Sequence, residues 1–168
     1  QLYRALHPED TPSTKEDVTI VTLENVLLNQ PYNDLGFIVK DRLMIFVEAQ
    51  STWSENIVVR SLLYMSQTIQ EYIMETNQNV YSPRRIHLPK PELYVLYTGD
   101  RKLRPDRISL SETFFNGEPC DLDVNINMIY DGKQGDIINQ YVTFLKVYFE
   151  QVRLHGRTQK AVLETIKR

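Results

Sequence analysis

The chain has 168 residues, a formal charge of -3 and 42% hydrophobic content, which excludes an intrinsically disordered chain and suits a single domain, 1–168, with a sizeable core. The acidic balance excludes a chain-wide attraction to nucleic acid while leaving room for a local basic groove. One cysteine, Cys120, excludes an internal disulfide, no apolar run nears the roughly 20 residues that span a bilayer, and residues 1–10 lack a signal-peptide layout, so a reducing, cytoplasmic location is expected.

Gln1 to Asp17 is polar, with Pro8 and Pro12, and reads as a loop or short arm in which Leu2, Tyr3 and Leu6 fit one helical turn. Val18 to Leu23 is β-branched and predicts a strand, although the same window with Glu24 to Leu28 also fits the start of a helix. Asn29 to Asn33, with Pro31, is a turn. Two adjoining strands follow, joined by a tight turn at Lys40-Asp41. Asp34 opens the first. The second carries five apolar residues, Leu43 to Val47, and ends on Glu48-Ala49-Gln50.

Ser51 to Glu55 is a short polar loop holding the only tryptophan, Trp53. A long helix is predicted over Asn56–Thr76, with Ser54 as N-cap and Val59, Leu62, Leu63, Ile69, Tyr72 and Ile73 as its apolar face. Asn77 to Pro91 is a proline-rich loop with a basic edge of Arg84, Arg85, His87 and Lys90. Leu93 to Thr98 is a strand stopped by Gly99-Asp100, and Arg101 to Pro105 is a basic turn. Ser109 to Cys120 reads as irregular, with Phe114 and Phe115 packed. Leu122 to Tyr130 alternates Val124, Ile126 and Met128 against Asn125 and Asn127, a strand with one wet or functional face.

A second long helix starts near Asp136, an acceptable N-cap, carries Ile137, Tyr141, Phe144, Leu145, Tyr148 and Val152 at helical spacing, and stops at Gly156. A last helix begins at Thr158, with Val162 and Ile166 at apolar positions. Its pattern still runs at Arg168, as in a fragment of something longer. The order of elements gives an α/β fold: a mixed central sheet flanked by helices.

The chemistry concentrates at Asp34 and Glu48-Ala49-Gln50. A strand as apolar as Leu43–Val47 is normally buried on both faces, and a carboxylate at its end needs a partner, of which a metal ion is one of the few good ones. Side chains alternate along a strand, so Glu48 and Gln50 share a side. Mg²⁺ prefers carboxylate, carbonyl and water oxygens. Asp34 and Glu48 as metal ligands, the Ala49 carbonyl beside them and Gln50 orienting water or a phosphate oxygen make a minimal site for phosphodiester hydrolysis. The bland alternative is a turn residue at Asp34 and loop polarity at Gln50-Ser51. The loop cations Arg84, Arg85, Lys90, Arg101, Lys102, Arg104 and Arg107 fit phosphate contacts, although such groups are more often plain solvated loops. His7, His87 and His155 make no zinc pattern, Gly132-Lys133-Gln134-Gly135 is not a P-loop, and no G-x-S-x-G element occurs.

An acidic residue opening one strand and an apolar strand ending in Glu-x-Gln-Ser resembles the PD-(D/E)xK nuclease superfamily. Glu48-Ala49-Gln50-Ser51 followed by a helix with Arg60 and Tyr64 is similar to its recombination-promoting nuclease branch, the "PD-(D/E)xK nuclease family transposase" type. The resemblance implies a restriction-endonuclease-like core and a Mg²⁺- or Mn²⁺-dependent DNA endonuclease linked to recombination or mobile elements. It implies Asp34, Glu48 and Gln50 as catalytic residues, and Ser51, Arg60 and Tyr64 as DNA-contacting or supporting residues around them. DNA is the implied partner, and a homodimer the assembly. The superfamily lysine is replaced by Gln50, which can orient water but brings no positive charge. Asn33 stands where the pattern has proline, and the helix that often precedes the core is poorly represented. The alternative class is a nuclease-fold module that binds nucleic acid or protein without cleaving.

Overall fold

The computed structural model describes residues 1–10, 15–21, 35–40, 42–49, 52–156 and 158–166, with the backbone alone for 15, 20, 21, 35 and 44–49. The chain forms two compact units, one of Ser13–Ile129 and one of Gln1–Pro12 with Tyr130–Arg168.

The larger unit is α/β, built on a mixed six-stranded sheet. Its strands are β1 (Val18–Val21), β2 (Leu35–Val39), β3 (Arg42–Ala49), β4 (Lys90–Tyr97), β5 (Arg107–Ser109) and β6 (Asn125–Ile129), in the order β1-β2-β3-β4-β6-β5. The first three form an antiparallel meander. The β2–β3 connection turns at Lys40, a non-glycine residue at φ 55°. Helix α2 (Ile57–Glu75) then carries the chain over to β4, which runs parallel to β3. A crossover of this length is what a parallel pair requires. Strand β6 is parallel to β4, and β5 closes the edge antiparallel to β6.

The core follows from the apolar runs. Val39, Leu43, Val95 and Ile126 are fully buried, and Leu93 to Tyr97 are all buried, as expected of a central strand with a neighbour on each side. Along β6 and the residue before it the predicted alternation is present: Val124, Ile126 and Met128 are inside. Asn127 on the other face is structural. Its amide nitrogen donates to the Leu93 carbonyl at 3.1 Å, and its oxygen accepts from Arg107 Nε at 3.2 Å, tying three strands together.

Several sequence expectations are corrected. Helix α2 begins at Ile57 with Asn56 in the cap position, αR in backbone and without a side-chain cap, while the carbonyl of Ser54 accepts from the Ile57 amide at 3.2 Å. Its buried stripe is Ile57, Val58, Ser61, Tyr64 and Thr68, and Val59 is exposed. Apolar residues surround this helix, so spacing alone admits more than one face, and the sheet selects the one with small residues. Lys90 and Pro91 belong to β4, where Lys90 lies in register with Arg42. The stretch after β4 contains a strand, β5, and a short helix, α3 (Leu110–Phe114). Phe114 and Phe115 are exposed, at 42% and 45%.

The smaller unit pairs the hairpin of α4 (Ile137–His155) and α5 (Gln159–Ile166) with α1 (Leu2–Leu6), which packs on α4. Asp136 caps α4 as expected, accepting from the Asn139 amide at 2.8 Å, and Gly156 ends the helix at φ 68°. The buried face is Ile138, Val142, Leu145 and Gln151, whereas Tyr141 and Phe144 are exposed. In α5 Ala161 and Thr165 are inside and Val162 and Ile166 outside. Among the described residues no helix is long and apolar enough to cross a membrane.

Candidate functional site

Strand pairing defines the ground around Glu48. Leu35, which follows Asp34 in the chain, pairs with Phe46, two residues before Glu48. Glu48 is in register with Leu96 of β4, and Ala49, the last residue of β3, with Tyr97, the last of β4. The antiparallel meander and the parallel crossover thus meet where β3 and β4 end together. Crevices outside the carboxyl ends of parallel strands are the usual ligand sites of open α/β sheets.

Of the predicted site residues, Asp34, Gln50 and Ser51 lie outside the described residues, and Glu48 is placed by its backbone in β3. Arg60 and Tyr64 lie one turn apart near the start of α2, which packs against β3. Arg60 is half-buried, and Tyr64 is buried at 4% exposure. A cation in a first turn opposes the helix dipole, so helix electrostatics do not account for Arg60. Among the described residues no group of three or more His, Cys, Asp and Glu side chains could hold a metal ion.

Sequence reading passed over what sits at the same sheet edge. Trp53 packs edge-on against Tyr97, with ring centroids 5.4 Å apart, and the guanidinium carbon of Arg101 lies 3.9 Å over the indole. Among the described residues, the indole Nε1 of Trp53, the hydroxyl of Thr98 just past β4 and the hydroxyl of Ser61 are buried without a hydrogen-bond partner. An unsatisfied buried polar atom costs about 1–3 kcal/mol. Trp53, packed on the last residue of β4, and Thr98, which follows it, put two of these atoms at the end of that strand. The lone tryptophan in a polar loop was the only signal in the sequence.

The remaining polar clusters are satisfied and structural. The Ser111 amide and hydroxyl donate to Asp123 at 3.0 and 2.8 Å, holding that carboxyl below its ordinary value of 3.8. Ser109 caps α3 by accepting from the Glu112 amide at 3.2 Å. Asp136 is likewise lowered, first by the Asn139 amide, and also accepts from the Lys133 amide at 2.8 Å. Glu92 accepts from Arg42 at 2.6 Å and from the Tyr94 hydroxyl at 2.8 Å.

No protein-family model, curated protein or solved structure matches the chain.

Proposed function

We propose that the protein is a Mg²⁺-dependent DNA endonuclease of the PD-(D/E)xK type, linked to recombination or mobile elements. The observation that carries this reading is the sheet geometry: β2, which follows Asp34, pairs antiparallel with β3, which bears Glu48 at register position Leu96 of the parallel strand β4. That pairing sets the start of β2, which Asp34 precedes in the chain, against the end of β3, where Glu48 lies.

The donor set fits a hard cation: two carboxylates and the strand-end carbonyl of Ala49 are oxygen ligands of the kind Mg²⁺ prefers. When bound, the ion would neutralise charge on the scissile phosphate and lower the pKa of water. Asp34 and Glu48 would hold it. Gln50 would orient the attacking water or a phosphate oxygen through its amide, as a neutral group in place of the pattern's lysine. Arg60 would brace Glu48 or meet the phosphate, Tyr64 would support α2 from its buried position, and Ser51 would follow the backbone. The protein would act as a homodimer in the cytoplasm.

The test combines two assays. Calorimetry with Mn²⁺ should register uptake by the native protein and none by Glu48→Ala; equal uptake by both removes the site. Plasmid nicking should require divalent metal and vanish in Asp34→Ala. Metal-dependent DNA binding without nicking would favour the second reading, a non-cleaving nuclease-fold module, for which Gln50 is the specific support.

A further inference from the structure

Nothing in the nuclease reading uses the segment between β4 and β5. It leaves β4 after Tyr97, at the edge where β3 ends beside Glu48, and must cross β6 to reach β5 at the side of the sheet. Between 98 and 107 it carries Arg101, Lys102, Arg104 and Arg107 against Asp100 and Asp106, a local positive excess in a chain of net charge -3. Among the described residues neither Arg101 nor Lys102 has a carboxylate partner at ion-pair distance. The second basic loop, with Arg84 and Arg85, enters β4 at its opposite end. Eight strand residues separate the two loops, about 25 Å at the usual rise. The tertiary structure therefore gives only one of the two basic loops to the edge that carries Glu48.

That segment is mounted on Trp53. The guanidinium carbon of Arg101 sits 3.9 Å over the indole, a cation–π contact that holds the side chain at the rim without consuming its hydrogen bonds. At its base, among the described residues, are two buried donors without acceptors, Trp53 Nε1 and the Thr98 hydroxyl. Arg101 and Lys102, cations without a carboxylate partner among the described residues, call for an anion. The cations are strung along seven residues rather than gathered in a pocket, which suits a repeating row of phosphates better than a single one.

We propose that the 98–107 segment is the nucleic-acid backbone contact of this protein, with Arg101 held on Trp53 as its anchor and Lys102, Arg104 and Arg107 on successive phosphates. Nucleic acid as the ligand rests on the nuclease reading; the segment itself is assigned from its own geometry.

The experiment is fluorescence anisotropy with a short labelled duplex DNA in EDTA, so that cleavage plays no part, over a series of KCl concentrations. Arg101→Gln/Lys102→Gln should make the slope of log K against log[KCl] shallower by about 1.8, at about 0.9 for each lost phosphate contact. Arg84→Gln/Arg85→Gln should leave the slope unchanged, and Arg101→Lys should retain it. The emission of Trp53, the only tryptophan, should change when DNA is added to the native protein and stay constant in Arg101→Gln. Matching thermal melts establish that the variants are folded. Equal slopes in all proteins, a loss confined to the Arg84/Arg85 variant, absence of DNA binding by the native protein, or displacement of DNA by inorganic phosphate at equal phosphate concentration would each overturn the proposal. Metal-dependent nicking undiminished in Arg101→Gln/Lys102→Gln would sink the segment and leave the nuclease. Segment-dependent binding without nicking would keep the segment and sink the nuclease.

Discussion

Ser61 provides a prediction whose sign runs against intuition for a fully buried position. In helices, a serine or threonine hydroxyl ordinarily bonds the carbonyl four residues back. Ser66 does so to Leu62 at 2.9 Å, Thr68 to Tyr64 at 2.8 Å and Thr165 to Ala161 at 2.7 Å. Ser61, at 0% exposure, does not, and among the described residues its Oγ has no other partner. Removing a buried, unpaired polar atom recovers its desolvation cost, about 1–3 kcal/mol. The space left by one oxygen is smaller than that of a methylene, so it costs less than about 0.8 kcal/mol. The difference favours Ser61→Ala by about 1 kcal/mol, which for a chain of this size raises Tm by about 2–4 °C. Thr68→Val, equally buried and nearly isosteric, goes the other way by about 0.5–1.5 kcal/mol because it deletes a bond that is made. Urea unfolding followed by Trp53 fluorescence and far-UV circular dichroism measures both. A loss of 1 kcal/mol or more in Ser61→Ala would refute the reasoning, because it would mean that the hydroxyl is satisfied.

Further outcomes follow from the same geometry. Ile126→Ala, at 0% exposure in β6 between β4 and β5, should cost about 2–5 kcal/mol in urea unfolding. Arg42→Met removes the 2.6 Å ion pair of Glu92, whose side chain is 10% exposed, and should cost about 1.5–3 kcal/mol, most of it recovered on adding Glu92→Gln. Gly132→Ala should lower Tm, since a Cβ there would lie 2.6 Å from the Asn139 amide nitrogen and collide with the Asp136 carboxylate that caps α4. The Asp123 carboxyl is lowered in the folded state, so the unfolded chain binds its proton first. Its contribution is present above pH 3.8 and is lost as pH falls through the depressed folded value. Asp123→Asn should therefore flatten the fall of Tm in acid, and an unchanged acid limb would discount the Ser111 bonds as its cause.

Local sequence determined a good part of this protein. The β-branched run at Val18, the apolar run Leu43–Val47, the alternation about Ile126, the Asp136 cap and the Gly156 stop each place an element, because backbone preference and capping act over a few residues. The carboxylate at the end of β3 was also legible, since an acidic residue closing an apolar strand stands out without any knowledge of its neighbours. Tertiary structure decided the rest. Helices α2 and α4 carry apolar residues on more than one side, so their period is degenerate. Packing chose Ser61 and Thr68 for the core of one, and left Tyr141 and Phe144 of the other exposed. Strand β5, only Arg107–Ser109, has no strand signal of its own and exists through its bonds to β6. The parallel pairing of β3 with β4 is likewise a long-range property. It alone separates two basic loops that look alike in sequence, and sets one of them, with Trp53, beside the strand end that carries Glu48.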